Sequence, residues 1–152
     1  TKTTALSASV GTVTITSTVS SSSSTTISSN VGTSAVGSVE VYQLFAVTVV
    51  DDGGNKYFLD GSNQTGSAIT LNEGSTYRFD QSHSSNSGHP LRFSTTSNGT
   101  HGGGSEYTTG VTTAGTPGSA GAYTQITVAV GAPTLYYYCT NHSGMGGQAN
   151  TP

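Results

Sequence analysis

Glycine, serine and threonine interrupt every window of this sequence that is long enough to hold three helical turns. These residues disfavour helix, and the strong helix formers that could offset them are scarce. β-Branched residues are abundant instead, as in residues 12–16, Thr-Val-Thr-Ile-Thr, where polar and apolar positions alternate. Strict alternation of this kind is typical of a half-buried strand. The sequence therefore predicts an all-β fold.

Several other β-rich runs lie between residues that favour turns. The predicted strands are 39–50, 57–59, 68–71, 76–79, 91–93, 123–130 and 135–139. Most are bounded by Gly, Asn, Asp or Pro, as short antiparallel strands are, and residues 51–55 indicate a hairpin turn. Many short strands separated by turns predict a β-sandwich or a barrel.

Charge is scarce, and this excludes several classes of function. Charged residues make up 7% of the chain, against about 25% in an ordinary soluble domain. The four basic residues cannot form a patch that neutralises phosphates, so we expect no nucleic-acid partner. The apolar run at 44–50 is far shorter than the roughly 18 residues of a membrane span. Carboxylates are scattered and no serine lies in a nucleophile elbow, so we expect no enzyme and no catalytic residues.

The composition changes near residue 38. Residues 1–37 are mostly Ser, Thr, Ala, Val and Gly, whereas residues 38–152 hold all eight tyrosines, all four histidines and the sole Cys and Met. The first segment suits either a flexible linker or an extended β-arm. We expect a β-arm that pairs at a sheet edge, more readily on a neighbouring copy than on its own domain. The sequence thus predicts an arm over 1–37, a domain over 38–152, and a homo-oligomer or larger assembly.

The sole cysteine and the sole methionine lie six residues apart with a histidine between them, in the segment Cys139-Thr-Asn-His142-Ser-Gly-Met145. A predicted strand ends at Cys139, and the glycines after it let the backbone wrap closely around a small object. Taken alone, Cys139 could be a small buried hydrophobe. Together, thiolate, imidazole and thioether form a soft donor set that favours copper over Mg or Ca.

A fourth donor has to come from elsewhere in the chain. His89 is the first candidate, because Pro90 biases it toward an extended conformation at the start of the next strand. His83 and His101 lie in Ser- and Gly-rich segments, where we expect exposed side chains. His101 is the reserve candidate if His89 is not a ligand.

The spacing Cys-x2-His-x2-Met resembles the ligand loop of the cupredoxins, small blue-copper proteins of the amicyanin and plastocyanin type. Residues 74–79, Gly-Ser-Thr-Tyr-Arg-Phe, followed by a loop and His89, resemble the strand pair that brings the first histidine ligand in that family. The resemblance covers roughly residues 38–147. It implies a Greek-key sandwich or barrel and one mononuclear type-1-like copper site, with His89, Cys139 and His142 equatorial and Met145 axial. Metal binding or electron transfer with a redox partner would be the function.

Pro90 departs from the family pattern. The residue after the first histidine is usually Asn, whose backbone N–H donates to the copper thiolate, and proline has no N–H. Donors of this kind tune a metal site.

The flanks Leu-Tyr-Tyr-Tyr-Cys and Met-Gly-Gly also resemble cupredoxin-like domains of virion structural proteins of marine phages. The alternative function is therefore a structural subunit of an extracellular fibre or virion surface, which assembles through its β-arm and keeps a structural or vestigial metal site. Low charge favours regular assembly because copies repel one another little. The resemblances imply an extracellular, periplasmic or virion-surface location.

Overall fold

The computed structural model describes residues 40–63 and 67–152 of the chain. The strands are β1 (Gln43–Asp51), β2 (Asn55–Leu59), β3 (Ser62–Asn63), β4 (Ile69–Thr70), β5 (Thr76–Asp80), β6 (Leu91–Ser94), β7 (Glu106–Tyr107), β8 (Val111–Ala114), β9 (Tyr123–Thr127), β10 (Leu135–Cys139) and β11 (Gly147–Asn150). Two short 3-10 helices, Ser84–Asn86 and Gly99–Gly102, are the helical elements of this part of the chain. The all-β prediction is confirmed. The arm predicted over 1–37, with its strand at 12–16, lies outside the described residues.

The strands form two sheets. The six-stranded sheet has the order β3-β2-β1-β5-β9-β8, and the five-stranded sheet has the order β4-β11-β10-β6-β7. The turn pattern predicted antiparallel strands, and most pairs are antiparallel, but β1 with β5 and β4 with β11 are parallel. A parallel pair needs a crossover connection. Here the chain between β1 and β5 supplies it by passing through β4, which belongs to the other sheet.

The two sheets bury their facing sides against each other, which makes the fold a β-sandwich. The buried Tyr77 and Phe79 alternate with partly exposed neighbours along β5, as expected of a strand with one face on the core. Phe79 meets Phe93 of β6 edge to face across the core, with ring centroids 5.4 Å apart. Such an aromatic pair contributes about 0.5–1.5 kcal/mol beyond its buried area. No helix in the two described segments is long and apolar enough to cross a membrane.

Three predicted strands are shorter in the structure, and four strands were not predicted. The described part of the run 39–50 becomes a strand from Gln43. The run 68–71 is a strand at Ile69–Thr70, and the run 123–130 ends as a strand at Thr127. The strands without a prediction are β3, β7, β8 and β11. The residues of β11, Gly-Gln-Ala-Asn, have little intrinsic preference for strand. β11 forms nevertheless, because it pairs with β10 on one side and with β4 on the other.

The outer face of β10 is covered by residues 95–104, which we name the covering loop. Tyr138 points to this face and is nevertheless 1% exposed, because Gly99 lies on its ring. A Cβ atom added at Gly99 would be 2.5 Å from three carbons of the Tyr138 ring. The absence of a side chain at Gly99 therefore lets the covering loop approach the strand that ends at Cys139.

Alanine substitutions at two glycines of the covering loop test this close packing. Gly99 and Gly103 both have positive φ, but a Cβ at Gly103 would meet nothing within 4 Å. We expect Gly103→Ala to lower the free energy of unfolding by about 1–2 kcal/mol, the cost of a left-handed alanine. Gly99→Ala should lose about 1–3 kcal/mol more through overpacking. Urea denaturation measures both, and equal losses would contradict the proposed contact.

Candidate metal centre

Strand register brings Cys139 and His89 to one end of the five-stranded sheet. β10 pairs with β6 in antiparallel register, with Cys139 opposite Leu91. His89 lies two residues before Leu91, so it falls beside the end of β10. A further hydrogen bond, 3.1 Å from the Thr140 N–H to the Pro90 carbonyl, continues the pairing past the cysteine. The two segments that carry the candidate ligands are therefore joined by main-chain hydrogen bonds.

The three side chains converge around the cysteine sulfur. Cys139 Sγ lies 3.6 Å from His142 Nδ1 and 3.9 Å from His89 Nδ1. The two imidazole rings have centroids 4.6 Å apart and planes tilted by 42°. One ligand atom from each residue lies within 4.8 Å of the other two. Cys139 is buried, His89 is half-buried, and His142 is exposed, so the cluster lies at the surface end of the core.

These separations leave room for one metal ion. With metal–nitrogen and metal–sulfur bonds of about 2.0 and 2.3 Å, tetrahedral or trigonal coordination separates nitrogen from sulfur by about 3.5–3.7 Å. The observed 3.6 Å to His142 Nδ1 lies within that range, and the 3.9 Å to His89 Nδ1 lies slightly above it. The cluster of His89, Cys139 and His142 could thus hold a metal ion with little movement of its ligand atoms.

The surroundings of His89 favour the neutral imidazole that a metal requires. Burial lowers the pKa of His89 below its usual value, and the nearby His142 lowers this pKa further. A protonated imidazole has no lone pair on its ring nitrogens and cannot bind a metal ion. His89 is therefore held in its ligand form to a lower pH than a free histidine would be.

Met145, the fourth predicted ligand, lies in the same buried cluster as Cys139 and is 1% exposed. Its carbonyl accepts a 2.9 Å hydrogen bond from the Tyr57 N–H of β2. The chain thus returns the methionine to the core after the exposed His142. Its ligation belongs to the proposal below.

The backbone of His89 is fixed by three hydrogen bonds. Its N–H donates to the Asn86 carbonyl at 2.8 Å. Its carbonyl accepts from the Tyr57 hydroxyl at 2.7 Å and from Gln81 Nε2 at 2.8 Å. Gln81 Oε1 also accepts from the Leu91 N–H, so one buried amide bonds the residues on both sides of Pro90. Composition and spacing gave no sign of these roles for Tyr57 and Gln81.

The ligand loop, residues 140–146, is held from two sides. Asn98 of the covering loop accepts from the Gly144 N–H at 2.8 Å and donates to the Ser143 hydroxyl at 2.8 Å. Lys56 of β2 donates to the Gly144 carbonyl at 2.6 Å. The N–H and the carbonyl of Gly144 therefore both have partners from distant parts of the chain, and these contacts hold the loop.

The other two histidines are not members of the three-residue cluster. His83 is exposed and its Nδ1 accepts from the Ser85 N–H at the start of a 3-10 helix. His101 is also exposed, and its Nε2 lies 3.0 Å from the Cys139 carbonyl. His101, the reserve candidate, therefore contacts the backbone of Cys139, while His89 contacts its sulfur.

The chain was compared with models of protein families, with characterised proteins and with solved structures, and no match was found in any of the three comparisons.

Replacing Asn98 by glycine tests whether protein contacts hold the ligand loop. Asn98 has φ +61°, so glycine keeps the backbone conformation and removes only the side-chain bonds. Two hydrogen bonds contribute about 1–3 kcal/mol, and we expect the Gly144 amide to exchange with solvent at least about tenfold faster. Amide hydrogen exchange by NMR measures this. The Leu71 amide, bonded to the Asn150 carbonyl, is the internal control and should not change; an unchanged Gly144 rate would contradict the prediction.

Proposed function

We propose that this chain is a cupredoxin-like domain that binds one copper ion through His89, Cys139 and His142, with Met145 as a weak fourth donor. Its function is electron transfer or metal binding, in an extracellular, periplasmic or virion-surface location. The sandwich is then a Greek-key fold of the cupredoxin type. The single observation that carries the proposal is the convergence of two Nδ1 atoms on a buried sulfur at 3.6 and 3.9 Å.

The donor set selects among metals. One thiolate and two imidazoles suit copper, whereas structural zinc sites are closed by four Cys or His ligands. Carboxylates, which Mg and Ca prefer, are absent from the cluster that the described residues form. When bound, the copper ion supplies one-electron redox chemistry.

The protein contributes a fixed set of ligands. His89 is held through its backbone by Tyr57 and Gln81, and the ligand loop is held by Asn98 and Lys56. Ligands held in place need little rearrangement when the charge at the site changes, which favours rapid electron transfer. His142 is exposed and offers the side from which a redox partner can approach.

Copper titration of the purified chain tests the proposal. We expect one equivalent of Cu(II) to bind and to give the intense visible band of a thiolate–copper transition. Cys139→Ala should abolish the band. His89→Gln and His142→Gln should each weaken Cu(II) binding by at least about 100-fold, more than the loss of an outer-sphere partner does.

His83→Gln is the matched control, because His83 is a histidine outside the cluster. It should leave both affinity and spectrum unchanged. An unmodified chain without the band, or Cys139→Ala binding copper as tightly as the unmodified chain, would refute the copper site.

A structural subunit is the second candidate function, and one edge of the six-stranded sheet favours it. Among the described strands, β8, Val-Thr-Thr-Ala, has β9 as its one neighbour in the sheet. It contains none of the charged or proline residues that usually protect such an edge. An extended Thr- and Val-rich strand from another copy has the length and chemistry to pair with it. The metal site then has a structural or vestigial role.

Truncation separates this role from the first. Deleting residues 1–37 should leave residues 38–152 folded and monomeric, whereas the full chain should assemble, since the arm supplies the added strand. Deleting only residues 1–10 retains the predicted strand at 12–16 and should preserve assembly. Light scattering after size-exclusion chromatography measures the masses. Assembly of the 38–152 fragment equal to that of the full chain would be the contrary result.

A further inference from the structure

The covering loop contains the pair Asn98-Gly99, and no other asparagine of the chain is followed by glycine. Asparagine is thermolabile, because the main-chain nitrogen of the next residue can attack its side-chain amide. A side chain on that next residue hinders the attack, whereas glycine has no side chain and a freely turning backbone. Asn98 is half-buried, so solvent water can reach it. Among the asparagines of the chain, Asn98 is therefore the one best suited to deamidation.

The reaction uses the chain's own groups and solvent water. The Gly99 nitrogen forms a bond to Cγ of Asn98 and loses its proton, while the bond from Cγ to Nδ2 breaks and ammonia leaves with that proton. The product is a five-membered succinimide ring. Water then adds to one of the two ring carbonyls. Addition at the side-chain carbonyl gives aspartate, and addition at the main-chain carbonyl gives isoaspartate; nothing is oxidised or reduced.

The folded covering loop holds both reacting groups apart. The Gly99 N–H donates to the Thr96 carbonyl at 2.9 Å. The Asn98 side chain accepts from the Gly144 N–H and donates to the Ser143 hydroxyl, both at 2.8 Å. Asn98 has φ +61° and ψ +16°, and this ψ rotates the Gly99 nitrogen away from the Asn98 side chain. The attacking nitrogen can therefore reach Cγ only after the loop opens.

An isoaspartate at position 98 does not fit the closed loop. It transfers the side-chain CH2 into the main chain, so the chain is one carbon longer before Gly99. Gly99 lies against the Tyr138 ring, where an added Cβ atom would be 2.5 Å from three ring carbons. Packing of this density leaves no room for an extra atom without a shift of the backbone. A loop that has reacted therefore cannot restore the contacts of Asn98 with Ser143 and Gly144.

We propose that Asn98-Gly99 is a self-modification site controlled by opening of the covering loop, and that its isoaspartate product irreversibly releases the ligand loop. The bonds from Asn98 to Ser143 and Gly144 limit the opening, so the rate of deamidation follows the population of the open loop. The contacts that carry this inference are those of the protein alone, and it does not depend on the proposed copper site.

Mass spectrometry of protease digests measures the rate of deamidation at Asn98 in the full chain, incubated without metal at mildly alkaline pH. The same chain in guanidinium chloride, at the same pH and temperature, is the unfolded reference. We expect Asn98 to deamidate at least about tenfold more slowly in the folded chain than in the unfolded chain. In the unfolded chain, Asn98 should react faster than Asn141, which precedes a histidine.

Two serine variants test the control by the loop. Ser143→Ala removes the hydroxyl that accepts from Asn98. Ser119→Ala is the matched control, because Ser119 is also exposed and lies between β8 and β9. Neither serine is a sequence neighbour of Asn98, so neither substitution changes the intrinsic reactivity of the pair. We expect Ser143→Ala to deamidate about fivefold faster than the unmodified chain, the effect of one hydrogen bond on opening, and Ser119→Ala to differ less than about twofold. Circular dichroism checks that both variants are folded.

The release of the ligand loop is tested on the product. Deamidation adds a negative charge, so ion exchange separates the isoaspartate-containing chain from the unreacted chain. Its Gly144 amide should exchange with solvent at least about tenfold faster, while the Leu71 amide should not change.

Each part of the proposal has its own contrary result. An unfolded chain in which Asn98 does not react would overturn the modification site. Equal rates in the folded and unfolded chains, or a Ser143→Ala rate equal to that of Ser119→Ala, would overturn the control by the loop. An unchanged Gly144 exchange rate in the isoaspartate-containing chain would overturn the release of the ligand loop.

Discussion

The antiparallel register between β6 and β10 is the constraint on which the candidate site depends. Cys139 lies opposite Leu91, so the segment before β6 and the loop after β10 emerge at the same end of the sheet. Side chains alternate along a strand, and a slip by one residue would turn Cys139 to the outer face. The burial of Leu135 and Tyr137 in the core, on the same face as Cys139, stabilises the observed register.

Neutral polar groups then fix the ligands without adding charge. Gln81 and Asn86 are almost wholly buried, yet both are bonded to main-chain groups, Gln81 at His89 and Leu91 and Asn86 at Val47. Buried amides are costly when half satisfied and rigid when fully satisfied. Because these amides carry no charge, they hold the segment around His89 without placing an ion beside the cluster.

The sequence predicted those parts of the structure that depend on local pattern. The strand that ends at Cys139 and the spacing to His142 and Met145 are local, and the all-β class follows from composition. His89 was found as a candidate from Pro90 and the family resemblance, although fifty residues separate it from Cys139. Strands such as β11 have no β-rich pattern, and the parallel pairing of β1 with β5 depends on a crossover that no local pattern records.

The residues that support the candidate ligands were beyond sequence reasoning for a physical reason. Tyr57, Gln81 and Lys56 donate hydrogen bonds to main-chain carbonyls. Every residue has the same main-chain carbonyl, so the sequence does not show which one is the acceptor. Asn98 bonds to an amide and a hydroxyl in a loop 45 or more residues away. Nothing in the identity of the partner residue signals such a contact, so it becomes visible only when the chain is folded.

The burial of Cys139 also affects whether molecules of this protein become covalently cross-linked. A free thiol on a protein surface in an oxidising environment forms disulfides between molecules. Here Cys139 is wholly inaccessible to solvent, so its sulfur can neither attack a disulfide of another molecule nor be oxidised together with a second thiol. Many copies can therefore be held at high local concentration, in air, without becoming covalently cross-linked through their single cysteine.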